Sequence, residues 1–280
     1  MTERRAILAL AEELALPEPV MGPLARAAEK LPDLPLRELA GPETAEAAWE
    51  TVRASVPIWR QDDGMAHLAA ALGGACHTRE VYRENGVPED VFFATMGCFA
   101  RFLRETREIT GKWAFDRGFW TWRQTGGRLF RLGTLEFEYL PEERALSVHI
   151  PSDAVLSREE LERSYDRAER FFAGAGRVFC YQGLPTETRC GSWLLSPALD
   201  RLLPEESGIR RFAGDYVRCA VEEDDREFYR WLFKCEPPLP VEDLPEDTSL
   251  QRAAKAYLAA GGKIGSARGV LVRQRRHALN

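Results

Sequence analysis

Residues 119 to 182 constrain the fold more than any other stretch, because turn residues cut them into alternating segments followed by one amphipathic run. Phe119-Trp-Thr-Trp-Arg-Gln124 is short and aromatic. Leu129-Phe-Arg-Leu-Gly-Thr-Leu-Glu-Phe-Glu-Tyr139 alternates apolar and polar residues, and Ala145-Leu-Ser-Val-His-Ile150 follows a Pro-Glu-Glu-Arg turn. Period-two alternation between Gly and Pro turns predicts half-buried antiparallel strands. After Pro151, Ser157-Arg-Glu-Glu160 has capping-box spacing and opens an amphipathic helix through about Phe172. Arg177-Val-Phe-Cys-Tyr-Gln182 then reads as a fourth strand. Three strands, a helix and a strand place this part of the chain in the α+β class.

Residues 1–112 read as an all-helical N-terminal domain. Helices are expected over about 2–16, 20–31, 43–56, 62–72 (capped by Asp62 or Asp63), 77–84 and 89–109, with Pro17, Pro32, Pro57 and Asn85-Gly86 as stops. Residues 113–280 read as a second domain, a mixed sheet flanked by helices. Beyond Gln182 the pattern gives a loop at 183–191, helices at about 196–203 and 224–234, and a strand at about 215–222. It closes with a helix at about 249–260 capped by Asp247-Thr248-Ser249, then a strand at 268–273.

A chain of 280 residues with 45% hydrophobic and 29% charged content can bury a real core. The net charge of −6 provides no electrostatic footprint for nucleic acid, and the one basic run, Arg273-Gln-Arg-Arg-His277, reads as a solvated tail. No apolar run is long enough to span a membrane. Glu12 and Glu13 interrupt the N-terminal apolar run, so it reads as an amphipathic helix and not as a signal peptide. The six cysteines show no Cys-x-x-Cys pair, so no metal site is expected, and a cytoplasmic, reduced setting is.

Several phrases resemble a bacterial family of acyltransferase-domain proteins that pairs a helical N-terminal domain with a GNAT-like C-terminal one. They are Leu129-Phe-Arg-Leu-Gly-Thr-Leu-Glu-Phe-Glu138, Val148-His-Ile-Pro151, Ser192-Trp-Leu-Leu-Ser-Pro-Ala-Leu199 and Glu206-Ser-Gly-Ile209. The resemblance implies an acyl-CoA-dependent N-acyltransferase, with acetyl-CoA or another acyl-CoA as co-substrate and a small-molecule amine as acceptor. It also implies that the thioester lies where the fourth and fifth strands of the sheet splay, expected at Ser147–Ile150 and Arg177–Gln182. Cofactor contacts are then implied at Ile150, Ser152, Ala154 and Tyr181, with the pyrophosphate on the helix N-terminus near 152–158. Here the sequence departs from the family pattern. The loop Pro151-Ser-Asp-Ala-Val-Leu-Ser157 has none of the usual glycines, and Asp153, Glu159 and Glu160 are acidic. The alternative is a catalytically inactive GNAT-like module that binds a small metabolite or a partner protein.

His149 is the first candidate for the catalytic base, since it ends a strand at the expected opening and a histidine side chain can act as a base near neutral pH. The competing reading is a buried histidine bonded to a backbone carbonyl. Glu136 and Glu138 share one face of a predicted strand, and either could serve as base; otherwise they are a solvated strand face. Ser192 and Tyr181 are candidates to protonate a leaving thiolate, against capping and packing roles. Cys190-Gly-Ser-Trp193 lacks the nucleophile of the cysteine-protease phrase that it partly matches. Trp113, Phe115, Phe119, Trp120 and Trp122 read as packing residues or as a groove for an acyl chain.

Overall fold

The computed structural model describes residues 2–56, 60–237 and 239–272. The basic run 273–277 and the prolines at 57 and 238 lie outside them. The chain divides into two compact units, Met1–Leu132 with Ala168–Tyr181, and Gly133–Arg167 with Gln182–Asn280. The described strands number six and form a mixed sheet.

The first unit holds α1 (Glu3–Glu13), α2 (Glu18–Glu29), α3 (Ala45–Ser55), α4 (Met65–Glu84), α5 (Glu89–Met96), α6 (Cys98–Thr110), α7 (Gly118–Thr125) and β1 (Leu129–Leu132). Helix α4 is its axis, buried along most of its length and packed by α1, α2 and the turn Glu38–Ala40. It was expected as two helices broken near Gly73-Gly74, but both glycines stay helical. A Cβ on Gly73 would come within 2.6 Å of Leu36, and one on Gly74 within 2.7 Å of Leu39, so these glycines admit a neighbour and break nothing. The α4 N-terminus is held by Asp62, whose carboxylate accepts the N–H groups of Gly64 (3.0 Å) and Ala66 (2.8 Å).

Two further expectations fail in this unit. Phe119–Gln124 is the helix α7 and not a strand: Thr121, Trp122, Gln124 and Thr125 are buried at helical spacing, and Thr121 Oγ1 donates back to Gly118 O at 2.9 Å. Arg177–Gln182 begins inside the short 3-10 turn Ala175–Phe179 and forms no strand. Phe179 is buried against Tyr82 and Phe130, whereas Val178 is exposed, a one-sided burial that a tight turn satisfies. The helix expected over 89–109 is interrupted at Gly97.

The second unit holds β2 (Leu135–Leu140), β3 (Ala145–His149), the start of α8 (Arg158–Ala173), β4 (Glu187–Ser192), α9 (Leu199–Leu202), α10 (Gly208–Ala213), β5 (Tyr216–Glu222), α11 (Ser249–Ala259) and β6 (Ser266–Leu271). Its strands run in the order β2-β3-β4-β6-β5. The β3–β4 pair is parallel; the β2–β3, β4–β6 and β5–β6 pairs are antiparallel. Helix α8 covers one sheet face, with Tyr165 edge-on to Phe137 at 6.4 Å. Close approach of the chain before β2 requires Gly133, at φ +86, where a Cβ would lie 3.2 Å from Ser164. Ser164 Oγ also accepts the N–H of Leu135 at 3.1 Å. Strand β4 occupies a segment expected as loop, and the helix expected at about 224–234 is helical over 227–233, most of it the π-turn Tyr229–Phe233.

Candidate active site

Strand register decides which side chains meet. Residues paired across a ladder share a sheet face, and neighbours along a strand alternate. Glu136 pairs with His149 and Glu138 with Ser147, so these four lie on the face opposite Phe137, Val148 and α8. Glu136 and Glu138 are 3% and 5% exposed, which excludes a solvated strand face for them. His149 Nε2 lies 2.9 Å from Glu138 Oε2, so the partner of this histidine is a buried carboxylate. A carboxylate that accepts the Nε2–H places the imidazole lone pair on Nδ1.

The β3–β4 ladder is short. Its register runs Ala145↔Glu187, Leu146↔Thr188 and Ser147↔Arg189, and there it ends. Beyond that point β3 stays on β2 as far as His149, and β4 stays on β6 as far as Ser192. Two parallel strands joined at one end and parting at the other leave Val148–Ile150 across an opening from Cys190–Ser192. His149 sits at this opening. The strand expected to part from Ser147–Ile150, Arg177–Gln182, is replaced by β4.

The loop from β3 to α8 is tied down by its own amides. Ala154 N donates to Pro151 O at 2.9 Å, Val155 N to Thr134 Oγ1 at 2.6 Å, and Glu160 N to Ser157 Oγ at 3.3 Å. Ser152 and Asp153 are exposed, and Ala154 and Ile150 are half-buried. Arg158 bonds Asp215 at 2.7 Å, and Arg163 bonds Glu159 (2.6 Å) and Glu160 (2.7 Å). The Ser157 cap expected from the sequence is present, and it uses an amide of the α8 N-terminus.

The other candidates are engaged in other roles. Ser192 Oγ accepts the Leu194 N–H at 3.1 Å and caps the next turn. Burial pushes the Cys190 thiol far above its ordinary range, which leaves it protonated and unreactive. Tyr181 is half-buried in the first unit, off any strand. Of the aromatic candidates, Phe115 and Trp122 are core residues while Phe119 is 61% exposed. Arg123 stacks over Trp120 at 4.1 Å and Trp122 at 4.5 Å. Sequence reasoning missed β4 altogether, although Gly191 within a Thr-Arg-Cys-Gly-Ser run marks a strand approached closely by something else. Among the described residues no helix is long and apolar enough to cross a membrane, and no cluster of His, Cys, Asp and Glu could hold a metal ion.

The family model for a GNAT-like C-terminal domain matches residues 129–271, and that for an N-acyltransferase N-terminal domain matches residues 4–127. No curated protein matches the chain significantly. Among solved structures, the chain is similar to an acyltransferase in complex with decanoyl-CoA and teicoplanin, with a TM-score of 0.75 and 23% identity over 94% of this chain and 86% of that one. An acyltransferase in complex with decanoyl-CoA gives a TM-score of 0.75 and 21% identity over the same shares. A third, in complex with CoA and 10C-teicoplanin, gives 0.69 and 22% over 95% and 98%. At these identities the likeness is one of fold.

Proposed function

The chain belongs to the family of the GNAT-like C-terminal domain, and we propose that it transfers an acyl group from acyl-CoA to the amine of a small acceptor. The observation that carries this reading is the opening where the β3–β4 ladder ends, with the His149–Glu138 pair at its lip. Pantetheine lies between the parted strands, and backbone N–H groups near Val148–Ile150 polarise the thioester carbonyl. The amine attacks that carbon, and His149 Nδ1 takes its proton. Glu138 orients the imidazole and stabilises its charged form, while Glu136 adds a second buried carboxylate to the same face. The tetrahedral oxyanion collapses with cleavage of the C–S bond, releasing CoA thiolate and the amide.

The similar structures hold decanoyl-CoA and CoA, two of them with a glycopeptide as well, which supports acyl-CoA as co-substrate here and leaves the acceptor at the level of an amine. The phosphates go to the mouth of the 151–157 loop, where Ser152 and Ala154 lie beside the α8 N-terminus. All six cysteines are free thiols, which suits a reducing, cytoplasmic compartment. Calorimetric titration with acetyl-CoA, decanoyl-CoA and free CoA tests the reading. A dissociation constant in the micromolar range, about −8 kcal/mol, is expected. No heat and no thermal shift at millimolar ligand would overturn it in favour of a non-catalytic module.

A further inference from the structure

We propose that Gly191 is a specificity residue of this site: its missing side chain is the lane by which the acceptor amine reaches His149. The inference rests on the transferase reading above and adds the route of the acceptor. Continuing the β3–β4 register two steps past Ser147↔Arg189 sets Gly191 across the opening from His149. Gly191 is also paired with Arg268 on β6, so Glu136, His149, Gly191 and Arg268 form one row on the face that carries the base.

Among the described residues, neither backbone nor packing explains a glycine here. Gly191 is exposed and does not adopt the left-handed conformation that only glycine takes easily. A Cβ built on it would meet a single described side chain, Arg268, at 3.7 Å. Gly269, one strand away, is the opposite case: a Cβ there would lie 2.9 Å from Tyr216 and 3.2 Å from the Val217 carbonyl, so packing demands it. A glycine inside a strand forgoes cross-strand contacts and is retained where something must come close to the backbone. Arg268 is drawn to Glu222 by an ion pair, so its charged end is engaged on β5. The void lies on the same face as His149, not in the plane of the parted strands, so it serves the amine and not the pantetheine.

Gly191→Ala and Gly191→Leu test this. Melting temperature checks that both fold, and titration with decanoyl-CoA checks the thioester slot. The reaction of His149 with diethyl pyrocarbonate, followed on its own peptide by mass spectrometry with His77 as internal reference, reads the lane. The expected result is that Gly191→Leu melts no lower than wild type and binds decanoyl-CoA as wild type does, while carbethoxylation of His149 slows by about tenfold. Unchanged carbethoxylation in the folded leucine variant would overturn the lane. So would a parallel loss of decanoyl-CoA affinity, which would give the void to the thioester. Failure of wild type itself to bind decanoyl-CoA sinks the transferase reading, and is seen before any variant is made.

Discussion

His149 Nε2 lies 2.9 Å from Glu138 Oε2, although the strand register sets His149 opposite Glu136 and Glu138 opposite Ser147. The imidazole therefore reaches diagonally across the β2–β3 ladder, a reach that side chains on one face of a sheet can make. The small Ser147 side chain opposite Glu138 leaves room for it. A histidine turned toward a buried carboxylate has its Nε2 assigned to that partner.

If Nδ1 is the base, His149→Ala lowers kcat/KM for acyl transfer by about 10²- to 10⁴-fold while the acyl-CoA dissociation constant holds. Glu138→Gln keeps the shape and an acceptor oxygen but loses the charge that stabilises imidazolium, and should cost about tenfold. Steady-state kinetics on both variants checks this. Full activity in His149→Ala would pass the role to Glu136.

Asp153 is exposed in the loop before α8, the loop to which the proposed function assigns the acyl-CoA phosphates. Removing a like charge at a solvated position is worth a few tenths of a kcal/mol, so Asp153→Asn should tighten acyl-CoA binding by about twofold. Screening should erase the difference at about 0.5 M salt. Equal affinities at low salt would mean that the phosphates dock elsewhere.

Local signals in the sequence were legible wherever a side chain bonds its own helix end. Asp62, Ser157 and Thr248 all cap as their spacing implies, and Thr248 with Gln251 completes a capping box. The alternation in Leu135–Leu140 and Ala145–His149 likewise produced β2 and β3, and with them the face shared by the catalytic candidates. Strand β4 was illegible because it is made by tertiary pairing: Glu187, Thr188 and Arg189 look like loop, and their partners on β3 and β6 lie far off in sequence. Helix α7 failed for the opposite reason, since four aromatic or β-branched residues in six suggest a strand while burial at helical spacing decides the outcome. The opening beside His149 depends on β4, so the candidate base could be chosen from sequence and its surroundings could not.

Gly64 and Gly86 are both left-handed, at φ +77 and +69, but only Gly64 is also crowded, its absent Cβ overlapping the carbonyl of Phe115. Gly86→Ala should cost about 1 kcal/mol, the conformational penalty alone. Gly64→Ala adds a backbone clash and should cost about 3 kcal/mol or more. Urea unfolding of the two variants separates the terms, and equal losses would refute the packing part.

His67 gives a pH dependence with a definite sign. Its side chain is 7% exposed, with Trp49 at a ring-centroid distance of 5.6 Å, and burial holds its pKa below 6.5 against a weaker opposing pull from Asp62. In the unfolded chain the imidazole titrates near 6.5, so just below that pH the unfolded state binds more protons than the native one. Stability from this group is complete above pH 6.5 and falls as the pH drops toward the native-state value. The urea midpoint of the wild-type protein should therefore decline between about pH 7.5 and pH 5.5, and His67→Gln should flatten the decline even if it lowers stability at both ends. Identical slopes in wild type and His67→Gln would assign the titration to another group.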